Sequence, residues 1–175
     1  MLAAHQHVPF YVAAPFSNAG LPITSQVEYF DYVAVGDTFE SQGSEDVTRE
    51  AILSFARAWD PQAYHIDEEV AKRSFAGGLS ATAIHTLAIS QKLVHQSGFF
   101  DISPIVGLGI DELHLVKPVL AGDRVRARVT ITSMRASKSR PGAGLITNLT
   151  ELTNQTGQVV LHWALSELVR MRPKD

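Results

Sequence analysis

The sequence predicts an α+β fold in which helices come first and four long strands follow. Apolar residues recur at helical spacing over residues 49–58, and residues 79–96 are apolar on most sides. From residue 105 onward, apolar and polar residues alternate between turn signals, as in half-buried antiparallel strands. A chain of 175 residues suits one domain with a sizeable core.

The first elements are a strand and a helix. Val35-Gly36-Asp37 is a turn signal that leads into a strand predicted over residues 38–45. Thr48 is a suitable helix N-cap, and Pro61 ends the helix predicted over residues 49–58. The apolar residues that we expect on its inward face are Ala51, Ile52, Phe55, Ala56 and Trp59. A short helix follows, with acidic residues 67–69 in its first turn and basic residues 72–73 in its last.

A long helix is predicted over residues 79–96, directly after Gly77-Gly78. Its apolar character on most sides indicates a buried helix. The remainder is predicted as strands over residues 106–116, 123–137, 145–154 and 158–171. No internal repeat is visible, which argues for a single copy of this arrangement.

Asp60 and His65 are candidate catalytic residues because they lie five apart in a segment that Pro61 shapes. Proline fixes its own φ and disfavours the α region for the residue before it, so a loop can aim both side chains into one cleft. A carboxylate and an imidazole there could act as proton acceptor and proton donor. The alternative is a simple helix stop followed by a solvated histidine.

Three motifs resemble one known family. W-D-P-Q-A-Y-H-I-D-E-E-V-A at residues 59–71, followed by F-A-G-G-L-S-A at 75–81, resembles the hydratase motif of MaoC-like dehydratases, the (R)-specific enoyl-CoA hydratase group of the hot-dog superfamily. V-K-P-V-L-A-G-D at 116–123 is similar to the strand and turn that end in P-V-x-x-G-D in that family, and E-L-T-N-Q-T-G-Q-V-V at 151–160 is a third match. The resemblance covers residues 28–172 and implies a single hot-dog fold, an antiparallel sheet wrapped around a long central helix.

The resemblance implies reversible addition of water across the 2,3 double bond of an acyl-CoA thioester, giving an (R)-3-hydroxyacyl product. Asp60 would take a proton from the attacking water, and His65 would help hold that water and supply a proton at C2. The N–H of Ala83 would stabilise the thioester oxygen, with Thr82 and Gln62 close to the substrate. No metal or redox cofactor is expected, and family members pair as homodimers, with the acyl-CoA tunnel near the subunit boundary.

Two positions depart from the family pattern. Ala83 stands where the family usually has glycine, and Ala63 replaces the second proline of D-P-Q-P-F-H. The Ala83 N–H survives that change, but its methyl group could narrow the thioester slot. His85 and Thr86 match a His-Thr pair of the family, and a hydrogen-bonded core histidine is the simpler interpretation of His85.

Two other functions stay open. A hot-dog thioesterase would hydrolyse acyl-CoA with a carboxylate near the same helix, although such enzymes generally lack the D-P-Q-x-x-H loop. A non-catalytic acyl-CoA binding module would have no need for both Asp60 and His65.

Composition excludes several other classes of function. The net charge of −3 and the absence of a Lys/Arg block argue against nucleic-acid binding, and zero cysteines exclude disulfides and thiolate metal sites. No apolar run is long enough for a membrane helix, and we expect a cytoplasmic protein. Residues 1–26 lack a basic n-region, so we interpret them as an irregular arm before the hot-dog domain of residues 27–175. The His5 and His7 pair in this arm does not by itself predict a metal site.

Overall fold

The computed structural model describes residues 29–174, so the predicted arm of residues 1–26 lies outside the described residues. One antiparallel sheet and four α-helices make up this part of the chain. The helices are α1 (Arg49–Trp59), α2 (Ala63–Ile66), α3 (Glu68–Lys72) and α4 (Ala83–His95). The strands are β1 (Thr38–Glu40), β2 (Glu45–Asp46), β3 (Pro104–Leu115), β4 (Arg124–Ala136), β5 (Ala143–Thr153) and β6 (Val159–Arg170). Single turns of 3-10 helix lie at Phe30–Tyr32 and Phe99–Asp101.

The four long strands form the sheet in the order β4-β5-β6-β3, with β1 beyond β4 and β2 also paired to β4. Every pairing is antiparallel. On β4, Val125, Ala127, Val129 and Ile131 are buried while their neighbours are more exposed, which confirms the predicted alternation. β3 has only β6 as a neighbour in the sheet, so its other edge has no strand beside it within residues 29–174.

The core lies between α4 and one face of the sheet. Ile89, Leu93 and Val94 of α4 are buried in the same cluster as Trp163 and Ile146 of the sheet. The indole Nε1 of Trp163 donates to the hydroxyl of Ser90 at 3.0 Å, which ties β6 to the middle of the helix. This is an α+β arrangement with a sheet wrapped around a central helix, as expected.

The first predicted strand is wrong in its extent. It ends at Glu40, and a second short strand begins only at Glu45. The Ser41 hydroxyl donates to the Gly43 carbonyl at 2.9 Å and accepts from the N–H of Ala127 at 3.2 Å. The Ser41 N–H still donates to the Ala127 carbonyl at 2.9 Å, and the bonds of its hydroxyl turn the chain between the two strands.

The predicted start of the central helix is also wrong. Residues 79–82 are extended, and α4 begins at Ala83. The N–H of Ala81 donates to the Val119 carbonyl at 2.8 Å, and the N–H of Ala121 donates to the Leu79 carbonyl at 2.9 Å. Pairing with a distant part of the chain therefore satisfies backbone groups that helical bonds would otherwise have used.

Two smaller predictions need correction, one about the inward face of α1 and one about the segment that follows this helix. Ala51 and Trp59 are predicted on the inward face of α1, but both are exposed, Trp59 to 73%, whereas the buried residues are Ile52, Leu53 and Ala56. Thr48 does cap α1, because its hydroxyl accepts from the N–H of Ala51 at 3.1 Å. The segment after Pro61 was expected to be a loop, but it contains the single helical turn α2.

Candidate active site

A cavity of about 300 Å³ lies between α2, the start of α4 and the chain that follows β3. Five of its polar lining residues are Asp60, Gln62, Tyr64, His65 and Ser80. The other lining residues are Phe75, Ala81, Ala83, Thr86, Leu115, Val116, Lys117, Pro118 and Val119. The two proposed catalytic side chains therefore line the same cavity, which the sequence spacing alone could only suggest.

Asp60 is positioned by the end of α1. It is the C-cap residue of that helix, and its N–H donates to the Ala56 carbonyl at 2.9 Å. Pro61 cannot continue the hydrogen-bonded ladder, so the chain turns away immediately. The Asp60 carboxylate is thus attached to a rigid helix end, half-buried at the rim of the cavity.

A chain of two hydrogen bonds orients this carboxylate. The Tyr64 hydroxyl donates to the Gln62 carbonyl oxygen Oε1 at 2.6 Å, and the Gln62 amide Nε2 donates to Asp60 Oδ1 at 2.9 Å. The bond from Tyr64 fixes the orientation of the Gln62 carboxamide, and the bond from Gln62 holds one oxygen of the Asp60 carboxylate. Asp60 Oδ2 forms no hydrogen bond within residues 29–174, so this oxygen is available to a substrate or a water molecule.

His65 is buried, and the carbonyl of Ser80 fixes its tautomer. Its Nδ1 lies 2.8 Å from that carbonyl oxygen. A carbonyl only accepts, so Nδ1 carries a proton and donates it. The neutral ring then has an acceptor at Nε2, and the imidazolium has a donor there. The ring of Tyr64 lies against the imidazole at a centroid distance of 4.4 Å, which also limits its rotation.

The first turn of α4 forms one wall of the cavity. Ala83 is the first residue of that helix, where an N–H group has no partner within the helix, and the dipole is positive at this end. Ala83 lines the cavity. Thr82 does not: its buried side chain caps α4 by accepting from the N–H of His85 at 3.1 Å. The structure therefore brings Asp60, Gln62, His65 and Ala83 together and assigns the Thr82 side chain to the helix cap.

Sequence reasoning missed two groups that hold the site in place. The carbonyl of Ser80 could not be anticipated, because that residue was expected inside a helix, where its carbonyl would bond to the helix itself. Tyr64 did carry a signal, since it lies inside the D-P-Q-x-x-H segment, two residues after Gln62. Phe75, which is 87% exposed at the cavity wall, was also overlooked.

His85 differs from the expected hydrogen-bonded core histidine. Its ring is buried and stacks on Phe55 at 4.4 Å with an interplanar angle of 4°. Its Nδ1 has no hydrogen-bond partner among residues 29–174. Burial lowers the pKa of His85, and the charge of Glu45 acts in the opposite direction. His85 does not line the cavity that holds Asp60 and His65.

Among residues 29–174, no three His, Cys, Asp or Glu side chains are grouped so that they could hold a metal ion. No helix in that range combines the length and apolar character needed to cross a membrane.

Comparisons with known proteins agree on one family. The family described as MaoC like domain matches residues 31–152. The protein YdeM of Bacillus subtilis (strain 168) is 31% identical over 140 residues, which are 80% of this chain and 97% of that protein. The crystal structure of the MaoC-like dehydratase from Rhodospirillum rubrum is 37% identical, covers 82% of this chain and 97% of that one, and has a TM-score of 0.75.

A more distant structure shares the fold. The unliganded R-hydratase from Pseudomonas aeruginosa is 16% identical, covers 82% of this chain and 86% of that one, and has a TM-score of 0.64. With the sheet, the central helix and the family match in agreement, the chain has a hot-dog fold and belongs to the MaoC-like domain family.

Proposed function

We propose that the protein is a hydro-lyase that adds water reversibly across the 2,3 double bond of an enoyl-CoA thioester, giving an (R)-3-hydroxyacyl product. The observation that supports this most directly is the cavity that contains Asp60, His65 and the first N–H of α4. Hydration of an enoyl thioester needs a proton acceptor, a proton donor and stabilisation of the carbonyl oxygen. Each of the three has a candidate in this cavity.

Asp60 is the proton acceptor in the proposed reaction. Gln62 holds Oδ1, so Oδ2 accepts a proton from the water molecule as its oxygen forms a bond to C3. The hydrogen bond from Tyr64 to Gln62 keeps that geometry between turnovers. Positioned general bases typically contribute about 10² to 10⁴ in rate.

His65 is the proton donor. In the imidazolium form, Nδ1 donates to Ser80 and Nε2 carries the proton that is given to C2. The electron pair of the double bond moves toward the thioester carbonyl as water attacks C3, and it forms the new C–H bond at C2 when His65 releases its proton. Asp60 then holds one proton more and His65 one fewer, and exchange with solvent restores both.

The N–H of Ala83 stabilises the negative charge that develops on the thioester oxygen. It is a backbone donor at the positive end of α4, and it costs no reorganisation during the reaction. The thioester itself makes C2 acidic, so this scheme requires no metal ion or redox cofactor. Coenzyme A is part of the substrate.

We also propose a homodimer formed through β3. This strand is twelve residues long and lies at the edge of the sheet, with exposed apolar residues along its length. The exposed residues are Val106, Leu108, Ile110, Leu113 and Leu115. A long apolar edge strand is a template for pairing with another chain, and a second copy would cover it symmetrically. Leu115 also lines the site cavity, so the acyl-CoA tunnel would lie near the subunit boundary.

The test is a hydration assay with crotonyl-CoA that follows loss of the conjugated enoyl-thioester absorbance. We expect Asp60→Asn to lower kcat by at least about 10² while the far-UV circular dichroism stays unchanged. The matched control is Asp101→Asn, because Asp101 is an exposed aspartate outside the cavity. A stereospecific 3-hydroxyacyl-CoA dehydrogenase added afterwards reports whether the product is R or S.

A parallel assay for free thiol separates this reaction from thioester hydrolysis. Absorbance loss that needs Asp60 and releases no thiol supports the hydratase. Thiol release would indicate a thioesterase, and binding of acyl-CoA without either reaction would indicate a binding module. An Asp60→Asn rate within about threefold of wild type would remove Asp60 from the mechanism.

A further inference from the structure

A second cavity of about 520 Å³ runs along the face of α4 that is directed toward β3 and β6. Most of its lining is apolar and includes Ile84, Leu87, Ala88, Phe100, Trp163 and Leu165. It begins on the same turn of α4 as the site cavity, since Ala83 and Thr86 line that cavity and Ile84 and Leu87 line this one. We call it the α4 groove.

One ionisable side chain, Glu167 of β6, belongs to this groove. Glu167 is only 1% exposed. Its single hydrogen-bond partner among the described residues is the Asn148 amide, which donates to Oε1 at a long 3.5 Å. No Lys, Arg or His within residues 29–174 forms an ion pair with it. Burial raises the pKa of Glu167 from 4.5 to about 7.

Gly107 lies beside Glu167 in the sheet and lines the same groove. Glu167 pairs with Gly107 in the register of β3 and β6, so both belong to the same face of the sheet. A methyl group at Gly107 would lie only 3.6 Å from Leu165, in ordinary contact. Glycine leaves that space free.

A buried carboxyl with one long hydrogen bond destabilises the fold unless something else binds it. Leucine at the same position would be buried without the cost of removing a carboxyl group from water. Buried ionisable groups of this kind in clefts are candidates for functional sites. In an otherwise apolar groove, such a carboxyl could bind a polar group of a ligand.

We propose that the α4 groove holds the acyl chain of the thioester and that Glu167 selects chains with a hydroxyl group near their far end. This inference rests on the proposed hydratase function. A carboxyl group can both donate to and accept from a hydroxyl when protonated, and it can accept when ionised. The ligand hydroxyl would supply the hydrogen bonds that Asn148 alone does not.

The dimensions of α4 give the length of the groove beyond the thioester end. Ala83 is at the thioester end, and Gln91, which also lines the groove, is eight residues further along the helix. At 1.5 Å per residue this is about 12 Å. The groove can therefore accommodate a chain that extends several carbons beyond the reacting double bond, and crotonyl-CoA, with one carbon beyond that bond, would occupy little of it.

The experiment compares matched pairs of trans-2-enoyl-CoA substrates with eight, ten and twelve carbons, each pair with and without a terminal hydroxyl. For wild type we expect kcat/KM to favour the hydroxylated member of at least one pair by about tenfold, the size of one buried hydrogen bond. Glu167→Leu should abolish that preference. Glu167→Gln, whose amide still donates and accepts, should keep at least about threefold of it.

Equal kcat/KM values within every pair for wild type would overturn the proposal, as would a preference that survives Glu167→Leu. Wild type and Asp60→Asn assayed with crotonyl-CoA test the hydratase function separately. If crotonyl-CoA is hydrated but no pair shows a preference, the proposed function stands and the role of Glu167 does not.

If no substrate is hydrated, binding still tests the role of Glu167. Trp163 lines the groove, so its fluorescence reports chain binding once the exposed Trp59 is replaced by phenylalanine. The ligands are decanoyl-CoA and 10-hydroxydecanoyl-CoA. Tenfold tighter binding of the hydroxylated ligand that is lost in Glu167→Leu supports the assignment, and equal binding, or no fluorescence change with either, overturns it.

Discussion

Replacing Glu167 by glutamine should stabilise the protein at alkaline pH and leave its stability nearly unchanged at acidic pH. Glutamine has almost the same shape and can still accept a hydrogen bond from Asn148, but it cannot ionise. The buried carboxyl must lose its proton when the pH rises, in surroundings that do not solvate the charge.

The sign follows from proton binding in the two states. Between pH 4.5 and about 7, the folded protein holds the Glu167 proton and the unfolded chain does not. The free energy of unfolding of wild type therefore falls as pH rises through this window, and it levels off above it. At about 1.36 kcal/mol per pKa unit, the rise from 4.5 to about 7 corresponds to roughly 3 kcal/mol at pH 8.

Urea denaturation at several pH values, at one fixed protein concentration, measures this difference. Glu167→Gln should exceed wild type by up to about 3 kcal/mol at pH 8 and by less than about 0.5 kcal/mol at pH 4.5. The control is Glu151→Gln, since Glu151 lies on the other face of β5, half-exposed to water, and it should change stability by less than about 0.5 kcal/mol. A Glu167→Gln gain that is the same at both pH values would refute the argument from burial.

Three further predictions concern the site, a helix and the sheet edge. Tyr64→Phe removes the hydrogen bond that holds Gln62, and it should lower kcat for hydration about three- to tenfold without unfolding the protein; an unchanged kcat would show that the bond does not orient the site. Thr48→Ala removes the cap of α1 and should cost about 1 kcal/mol in urea denaturation, and the loss should be recovered in Thr48→Ser. Leu108→Lys places a charge on the exposed edge strand β3 and should convert the proposed dimer to a monomer, as measured by light scattering. A wild-type protein that is already monomeric at micromolar concentration would contradict the proposed interface.

Much of the fold could be predicted because its signals are local. The long strands follow from alternation and turn residues, and β4 is buried at every second position from Val125 to Ile131, as its sequence indicates. Thr48 and Pro61 mark the ends of α1 through their own backbone preferences. Asp60 and His65 could be proposed as a catalytic pair because both lie within the short segment of residues 60–65.

The remaining features depend on contacts between distant segments. Residues 79–82 read as helix, but backbone pairing with residues 119–121 makes them extended, and only this places the Ser80 carbonyl against His65. Glu167 looks like an ordinary polar residue of an alternating strand, and its burial is decided by α4 and by the position of β6 between β3 and β5. The sequence by itself determined the element types, the two candidate catalytic residues and the family resemblance. Tertiary structure decided where α4 starts, which atoms of the site are held, and which carboxyl is desolvated, because each depends on neighbours far away in the chain.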